Sequence, residues 1–185
     1  MPFEFEKTPF EGIVAIRIKS FDDNRGSFAE LYKKSDFYKA GINSDFTQEN
    51  ISISCSKTLR GMHWQAYPHS QAKLVYCLSG NILDVVTDLR PTSKTFLKTF
   101  MIKLSPCEGF NALYIPEGFA HGFAAFTQSA VLYRTTGEYC PQAERGFRYD
   151  DPLFAIPWDL PFTPILSKKD NERKALSKDF PGDLR

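Results

Sequence analysis

The chain has 185 residues, which is enough for one domain with a sizeable core and short for two, so we expect a single domain spanning residues 1–185. Its 23 basic and 22 acidic residues give a formal net charge of +1, and without a Lys/Arg block this predicts no nucleic-acid partner. The four scattered cysteines lack a C-x-x-C pair, which argues against a zinc ribbon or a disulfide framework and favours a reducing compartment.

The N-terminal part of the chain carries two early glutamates and no apolar stretch of the kind found in signal peptides. No apolar run approaches the ~18 residues that a membrane-spanning helix needs. We therefore expect a cytoplasmic protein without a membrane partner.

The stretch GIVAIRIKS places Val14, Ile16 and Ile18 on one face, which is the period-2 signature of a half-buried strand. Next, SDFYKAGI predicts two helical turns with Ser35 as N-cap and Gly41 as the stop.

The middle of the chain consists of short strand-forming runs. KLVYCLSGNILDVVTDLR predicts two strands around Gly80-Asn81, a dipeptide suited to a hairpin turn. TFLKTFMIKLS, NALYIP, GFAAF and AVLYRTTGEY continue the pattern, with turn clusters between them. Many short strands at fairly regular spacing indicate an all-β sandwich or barrel.

The C-terminal part begins with prolines at 152, 157, 161 and 164. Because proline lacks an N–H donor, this segment is excluded from a central strand or a helix interior, and we expect it to run extended across the surface. The following SKKDNERKALSKDF predicts a short helix that begins after a capping Ser167.

Two motifs carry the chemistry. PEGFAHGF has the spacing P-x-G-x-x-H of the second cupin motif, with His121 as its histidine. The stretch LRGMHWQAYPHSQAKLVYCLSG resembles the first cupin motif, and His63 stands at its first histidine position. Gln65 replaces the second histidine. The glutamate of the motif is missing, and a lysine, Lys73, stands before the closing glycine, Gly80. A lysine ammonium repels a cation and glutamine is a poor zinc or iron ligand, so we expect no metal. Together with Arg60, these groups suit an anionic or enolate-forming ligand.

A wider set of motifs extends the likeness. The run QENISISCSKTLRGMHWQ, with RGSFAE upstream and IPEGFAHGF, LYRTTGEY, RYDDP and ILSKKD downstream, resembles the dTDP-4-dehydrorhamnose 3,5-epimerase family over residues 21–170. The resemblance implies an all-β, cupin-type double-stranded β-helix or jelly-roll barrel with a few short helices. It also implies an isomerase without cofactor or metal, which epimerises C3 and C5 of a dTDP-4-keto-6-deoxyhexose through an enolate.

The resemblance assigns four residues to the chemistry. His63 is the base that removes the proton next to the carbonyl, a task that suits the ordinary pKa of histidine. Asp170 pairs with this imidazole and stabilises the imidazolium. Lys73 donates to the enolate oxygen, and Tyr133 returns a proton on the opposite face.

The same resemblance assigns further residues to substrate binding and to assembly. Tyr139 stacks on the thymine, and Arg60 has the planar fork that suits a pyrophosphate. The resemblance also implies a homodimer, in which Arg25 and Glu30 serve the neighbour's cavity. The substrate-contact positions are Arg25, Glu30, Gln48, Asn50, Arg60, His121, Tyr139, Glu144 and Lys169.

The residues alone leave alternatives open. His121 between two phenylalanines is also compatible with a satisfied core histidine, and Asp170 in a charged run is compatible with a surface residue. Lys73 is compatible with a charge that protects a strand edge. Three other functions also remain open: an epimerase of C3 or C5 only, with Trp64 beside the base reshaping the sugar pocket; a metal-dependent cupin, which Gln65 and Lys73 disfavour; and a non-catalytic cupin that binds sugar nucleotides.

Overall fold

The computed structural model describes residues 2–177, 180 and 182. Strands dominate this part of the chain, and two short helices complete it. The strands are β1 (Phe3–Lys7), β2 (Val14–Ile18), β3 (Phe21–Asp23), β4 (Gly26–Phe28), β5 (Gln48–Ser54), β6 (Leu59–Gln65), β7 (Lys73–Ser79), β8 (Ile82–Asp88), β9 (Thr99–Leu104), β10 (Ala112–Ile115), β11 (Phe119–Ala125), β12 (Ser129–Thr135) and β13 (Glu144–Gly146); the helices are α1 (Lys34–Lys39) and α2 (Lys168–Asn171).

Two antiparallel sheets form the body of the protein. The six-stranded sheet has the order β1-β2-β10-β7-β12-β5, and the five-stranded sheet has the order β13-β6-β11-β8-β9. Strands β3 and β4 form a separate two-stranded hairpin. The all-β architecture predicted from the sequence is confirmed.

The space between the two large sheets holds an apolar core. Val75 and Val131 from the six-stranded sheet and Val86 and Phe123 from the five-stranded sheet belong to one buried cluster. Successive side chains of a strand point to opposite faces of the sheet. Many of the side chains that point away from this core are also buried, because other segments pack on the outer faces. For this reason strand β2 is buried on both faces except at Arg17, rather than half-buried as its alternation predicted.

Other segments of the chain cover much of the outer face of each sheet. On the six-stranded sheet, Phe37 of α1 is fully buried against Phe3 and Ile16. On the five-stranded sheet, the proline-rich segment contributes Ile156 and Trp158 to a second cluster. Residues 152–164, all of them described, contain no helix and no strand, as the prolines predict. The segment is not extended throughout, because residues 152–154 form a turn and Ala155 and Asp159 have φ values of 43 and 44. The segment leads directly to α2.

The predicted hairpin at Gly80-Asn81 is wrong in its pairing. The two strands exist, but β7 lies in the six-stranded sheet and β8 lies in the five-stranded sheet. Strand β7 pairs with β10 on one side and with β12 on the other, so both of its edges are occupied. The turn therefore crosses from one sheet to the other, and Gly80, at φ +81, lies against the backbone at the start of β12.

The two helices agree with the sequence in place and differ at one cap. Helix α1 begins at Lys34 with Lys33 at the N-cap position, so Ser35 lies inside the helix and does not cap it. Asp36 in the first turn forms an ion pair with Lys33 at 3.4 Å. The predicted stop at Gly41 is confirmed, because this residue has φ +86 just beyond the C-cap. Ser167 caps α2 as predicted, accepting from the Asp170 amide.

Candidate active site

One end of the space between the sheets is polar and open, with a cavity of about 470 Å³. Inward positions that are apolar in the middle of β7 and β12, such as Val75 and Val131, give way to Lys73 and Thr135 at this end. The cavity is lined by every predicted site residue except Arg25 and Glu30, namely Gln48, Asn50, Arg60, His63, Lys73, His121, Tyr133, Tyr139, Glu144, Lys169 and Asp170.

An irregularity in β6 brings Arg60 and His63 to the same wall. In the pairing of β6 with β11, Arg60 faces Phe123 and His63 faces His121, so β6 has one residue more than its partner. Such a bulge shifts the alternation by one position. A Cβ atom at Gly61 would lie 2.5 Å from the Cα atom of Gly122, so this close approach of the two strands requires glycine.

His63 and Asp170 form a direct pair. The Nε2 atom of His63 lies 2.5 Å from Oδ1 of Asp170, and the Ser167 hydroxyl donates to Oδ2 of the same carboxylate at 2.9 Å. Burial raises the pKa of Asp170, but the hydrogen bond and charge of His63, the Ser167 hydroxyl and the Arg173 guanidinium outweigh it and hold this pKa below its ordinary value. The carboxylate is therefore ionised behind the imidazole, as an orienting group requires.

Lys73 and Tyr133 lie on the opposite wall, which the six-stranded sheet provides. The Nζ atom of Lys73 reaches to 3.4 Å from the backbone carbonyl of His63. Burial lowers the pKa of Lys73 to about 8, although the charges of Asp84 and Glu144 act to raise it. Burial raises the pKa of Tyr133 and the charge of Arg60 partly offsets this, so the phenol keeps its proton at neutral pH. Both groups are therefore available as proton donors.

Glu144 organises the rim of the cavity. Its carboxylate accepts hydrogen bonds from the Tyr139 hydroxyl at 2.5 Å and from the Lys169 ammonium at 2.6 Å. Burial acts to raise the pKa of Glu144. The hydrogen bonds from Lys169 and Tyr139 and the charges of Lys169 and His63 outweigh burial and hold this pKa below its ordinary value. Gln48 accepts from the Tyr139 amide at 2.8 Å. Tyr139 itself is half exposed, with its ring at the mouth of the cavity.

His121 has a partner that the sequence reading missed. Its Nε2 atom lies 3.1 and 3.0 Å from the two carboxylate oxygens of Asp84, which is fully buried on the neighbouring strand β8. His121 is therefore both satisfied within the barrel and part of the cavity wall. The available signal was Asp84 itself, a carboxylate in the middle of the strand ILDVVTD with apolar residues on both sides.

Arg25 and Glu30 lie outside the cavity. Arg25 is in the exposed turn of the β3–β4 hairpin and pairs with Asp23 at 2.6 Å, and Glu30 follows this hairpin.

Within the described residues, no group of three or more His, Cys, Asp or Glu side chains is placed to hold a metal ion. Gln65, at the position of a cupin ligand, instead accepts from the Cys140 amide at 3.2 Å. Among the residues that the structure describes, no helix is both long enough and apolar enough to cross a membrane.

Known proteins resemble this chain along almost its whole length. A family model described as dTDP-4-dehydrorhamnose 3,5-epimerase matches residues 7–178. The dTDP-4-dehydrorhamnose 3,5-epimerase of Shigella flexneri is 38% identical over 177 residues, which cover 94% of this chain and 97% of that protein.

Solved structures agree with this. The dTDP-6-deoxy-D-glucose-3,5-epimerase of Legionella pneumophila, in complex with dTDP-4-keto-L-rhamnose, has a TM-score of 0.89 and 32% identity, with 99% of each chain covered. A 3′-monoepimerase of Streptomyces bikiniensis, in complex with dTDP-quinovose, has a TM-score of 0.84 and 28% identity, covering 92% of this chain and 86% of its own. The predicted cupin-type jelly-roll fold is thereby confirmed. The chain belongs to the dTDP-4-dehydrorhamnose 3,5-epimerase family.

Proposed function

We propose that this protein epimerises C3 and C5 of a dTDP-4-keto-6-deoxyhexose, converting dTDP-4-dehydro-6-deoxyglucose to dTDP-4-dehydrorhamnose by removing and returning protons. The observation that carries this function is the placement of His63 and Tyr133. They lie on strands of the two facing sheets, so a sugar between them has the imidazole on one side and the phenol on the other. Epimerisation requires this arrangement, since the proton must leave one face and return to the other.

The base step uses the His63–Asp170 pair. The imidazole takes the proton from a carbon next to the C4 ketone, the C–H electron pair moves into the ring bond, and the ketone oxygen becomes an enolate. The imidazolium that forms is stabilised by the ionised Asp170 at 2.5 Å. General-base catalysis of this kind contributes typically ~10²–10⁴-fold in rate.

The enolate and its reprotonation use the opposite wall. The Lys73 ammonium donates to the developing oxyanion, a contact commonly worth ~2.7–4 kcal/mol in the transition state. Tyr133 then gives its hydroxyl proton to the carbon from the other face, and the ketone re-forms. The phenolate recovers its proton and the imidazolium loses one to solvent, so the groups are reset for the second carbon. Amino-acid side chains fill each of these proposed roles.

Binding of the nucleotide uses the rim and the remaining wall. Arg60 offers its guanidinium to the pyrophosphate, and the half-exposed Tyr139 ring offers a face for the thymine. The substrate is thereby held with its sugar toward His63. The other contacts that we assign to the substrate within this cavity are Gln48, Asn50, His121, Glu144 and Lys169.

We also propose a homodimer in which Arg25 and Glu30 enter the neighbour's cavity. Exposed apolar side chains support this: Phe28 is 66% exposed on the hairpin, and Ile51 is 61% exposed on the edge strand β5. A second copy that covers these surfaces would bury them and protect the strand edge. A cytoplasmic location also stays a prediction, supported by the free thiols of all four cysteines.

The test of the activity is hydrogen exchange in D₂O. The protein is incubated with dTDP-4-keto-6-deoxyglucose, and deuterium is counted by mass and located by NMR. We expect uptake at both C3 and C5, no uptake with His63→Ala, and normal uptake with His69→Ala, which removes the exposed histidine of the β6–β7 loop. No uptake by the folded wild-type protein would overturn the proposal.

The same measurement separates the narrower activity. The fold similarity to a 3′-monoepimerase means that this architecture also accommodates epimerisation at one carbon. Deuterium at C3 alone, or at C5 alone, would replace the double epimerase with a single one. Binding of the nucleotide sugar that survives in His63→Ala, without exchange in the wild type, would indicate a non-catalytic binding protein.

Shared sites are tested by complementation. Co-expressed His63→Ala and Arg25→Ala subunits carry different tags, and the mixed dimer is purified through both. If Arg25 serves the neighbour, one of the two cavities is intact, and we expect about half of the wild-type activity. If Arg25 serves its own cavity, both sites are damaged and the mixed dimer stays inactive. A monomer in light scattering would contradict the dimer itself.

A further inference from the structure

Arg173 lies directly behind the catalytic pair, outside the cavity lining. It follows α2, and its side chain is 14% exposed. One terminal nitrogen, Nη2, donates to Glu144 at 2.8 Å, and Nε lies 3.9 Å from the Oδ1 atom of Asp170 that also faces His63. The guanidinium therefore connects the carboxylate of the rim to the carboxylate of the pair.

The strand beside His63 makes room for this guanidinium. Gly146 of β13 is the backbone partner of His63, and a Cβ atom on Gly146 would lie 2.5 Å from both Cζ and Nε of Arg173. The guanidinium thus sits against the sheet where it carries the base. Within the part of the chain that the structure describes, the buried Nε of Arg173 has no hydrogen-bond partner. A buried donor without a partner is costly, so its charge contact with Asp170 is the interaction that this geometry offers.

We propose that Arg173 is a positioning residue for the epimerase: it holds Asp170 ionised and aligned behind His63. This inference rests on the proposed function and adds to it a residue that touches no substrate. A positive charge close to a carboxylate favours the ionised form, and the two-pronged guanidinium fixes its distance from Glu144 at the same time.

The charges around the pair define what else acts on it. Burial works against ionisation of Asp170, and His63, Ser167 and Arg173 bring its pKa below the ordinary value. Without Arg173 the pKa of Asp170 would rise, so the carboxyl group would take up its proton at higher pH. The other titratable groups that line the same space are Arg60 on β6, Lys73 on β7, His121 on β11, Tyr133 on β12, Glu144 on β13, Tyr139 and Lys169.

The test compares Arg173→Met with Lys168→Met. Both remove one positive charge from the same short segment, but the Lys168 side chain is 87% exposed and pairs only loosely with Glu172 at 3.9 Å. The ¹³C signal of the Asp170 carboxyl group, assigned by its loss in Asp170→Asn, is followed by NMR against pH. In parallel, kcat/KM is measured over the acid range.

We expect the Asp170 midpoint to move to higher pH in Arg173→Met and to stay in Lys168→Met. Since Asp170 aligns the imidazole and stabilises the imidazolium, kcat/KM should also fall about three- to fivefold in Arg173→Met. Arg173→Lys keeps the charge and should restore most of the wild-type midpoint. If Arg173→Met does not fold, Arg173→Gln carries the test, since it keeps a donor for Glu144 without the charge.

An unchanged midpoint in a folded Arg173 variant, even with a lower melting temperature, would overturn the inference and leave Arg173 a structural residue. The NMR midpoint does not depend on turnover. A wild-type protein without exchange activity would therefore refute the proposed function alone, while the carboxyl titration would still decide the role of Arg173.

Discussion

The described part of the chain contains two histidine–aspartate pairs whose histidines lie on neighbouring strands, and the two pairs are built differently. His121 and Asp84 lie on β11 and β8 within one sheet, and the Asp84 side chain is completely buried. His63 takes its partner from the tail, 107 residues further along the chain, and its own side chain is 31% exposed. The imidazoles themselves are cross-strand neighbours in the pairing of β11 with β6.

This difference separates a fixed element from a working one. A pair formed by adjacent strands is held in place by the sheet, so it contributes a fixed shape to the cavity wall. A pair completed by α2 depends on docking of the tail, and its imidazole has the access to solvent that proton exchange requires. The same two residue types therefore serve different purposes because of their backbone support.

Removal of each imidazole in turn should produce the largest difference between the two pairs. His63→Ala should lower kcat by ~10²–10⁴-fold and abolish deuterium uptake, because it removes the proposed base. His121→Ala should lower kcat only about tenfold and leave uptake detectable, since it removes a wall contact. Both are followed by deuterium uptake in D₂O. Equal losses in the two variants would contradict the division of roles.

The carboxylates provide the next contrast. Asp170→Asn should lower kcat by ~10²-fold, because the neutral amide no longer stabilises the imidazolium, and should cost about 1 kcal/mol or less in unfolding free energy. Asp84→Asn should lower kcat less and reduce the unfolding free energy by ~1–3 kcal/mol, since its carboxylate is buried against His121. Urea denaturation and steady-state kinetics measure the two effects. The reverse ranking would assign the chemistry to the inner pair, which is His121 with Asp84.

The fold class and the positions of several strands could be predicted from the sequence, but the pairing of the strands could not. Alternation and short spacing are local properties, so the strands around Val14 and Leu74 could be located. Pairing is not local: KLVYCLSGN has good turn chemistry at Gly80, yet β7 already has neighbours on both edges. The consecutive apolar residues of KLVYCL, which are buried on both faces of β7, were the hint of a central strand. They do not indicate which strands flank it.

The site was predictable where a motif existed. His63, Lys73 and Tyr133 were assigned by the family resemblance, and Asp170 came from the same source, since a charged run alone indicates a surface position. Spacing alone would have put Arg60 and His63 on opposite faces, because the extra residue in β6 depends on close contact with β11. Asp84 and Arg173 belong to no motif and become visible only through their contacts.

Lys73 links the two pairs and gives the smallest effect at neutral pH. Burial lowers its pKa to about 8, and the carboxylates of Asp84 and Glu144 raise it part of the way back. In the proposed mechanism the ammonium stabilises the enolate, so kcat should fall as pH rises through about 8. Asp84→Asn removes one raising charge, so the pKa of Lys73 falls and the alkaline limb of kcat should move to lower pH, whereas Asp170→Asn should leave it in place.

The measurement is kcat against pH from neutral to alkaline conditions for the wild type and both asparagine variants. Lys73→Arg is the control, because a guanidinium stays charged throughout this range and the alkaline limb should disappear even though the rate is lower. A limb that stays fixed in Asp84→Asn would mean that the inner pair does not act on Lys73. A limb that survives in Lys73→Arg would assign it to another group, and the inner pair would then be linked to the chemistry only through the shape of the cavity.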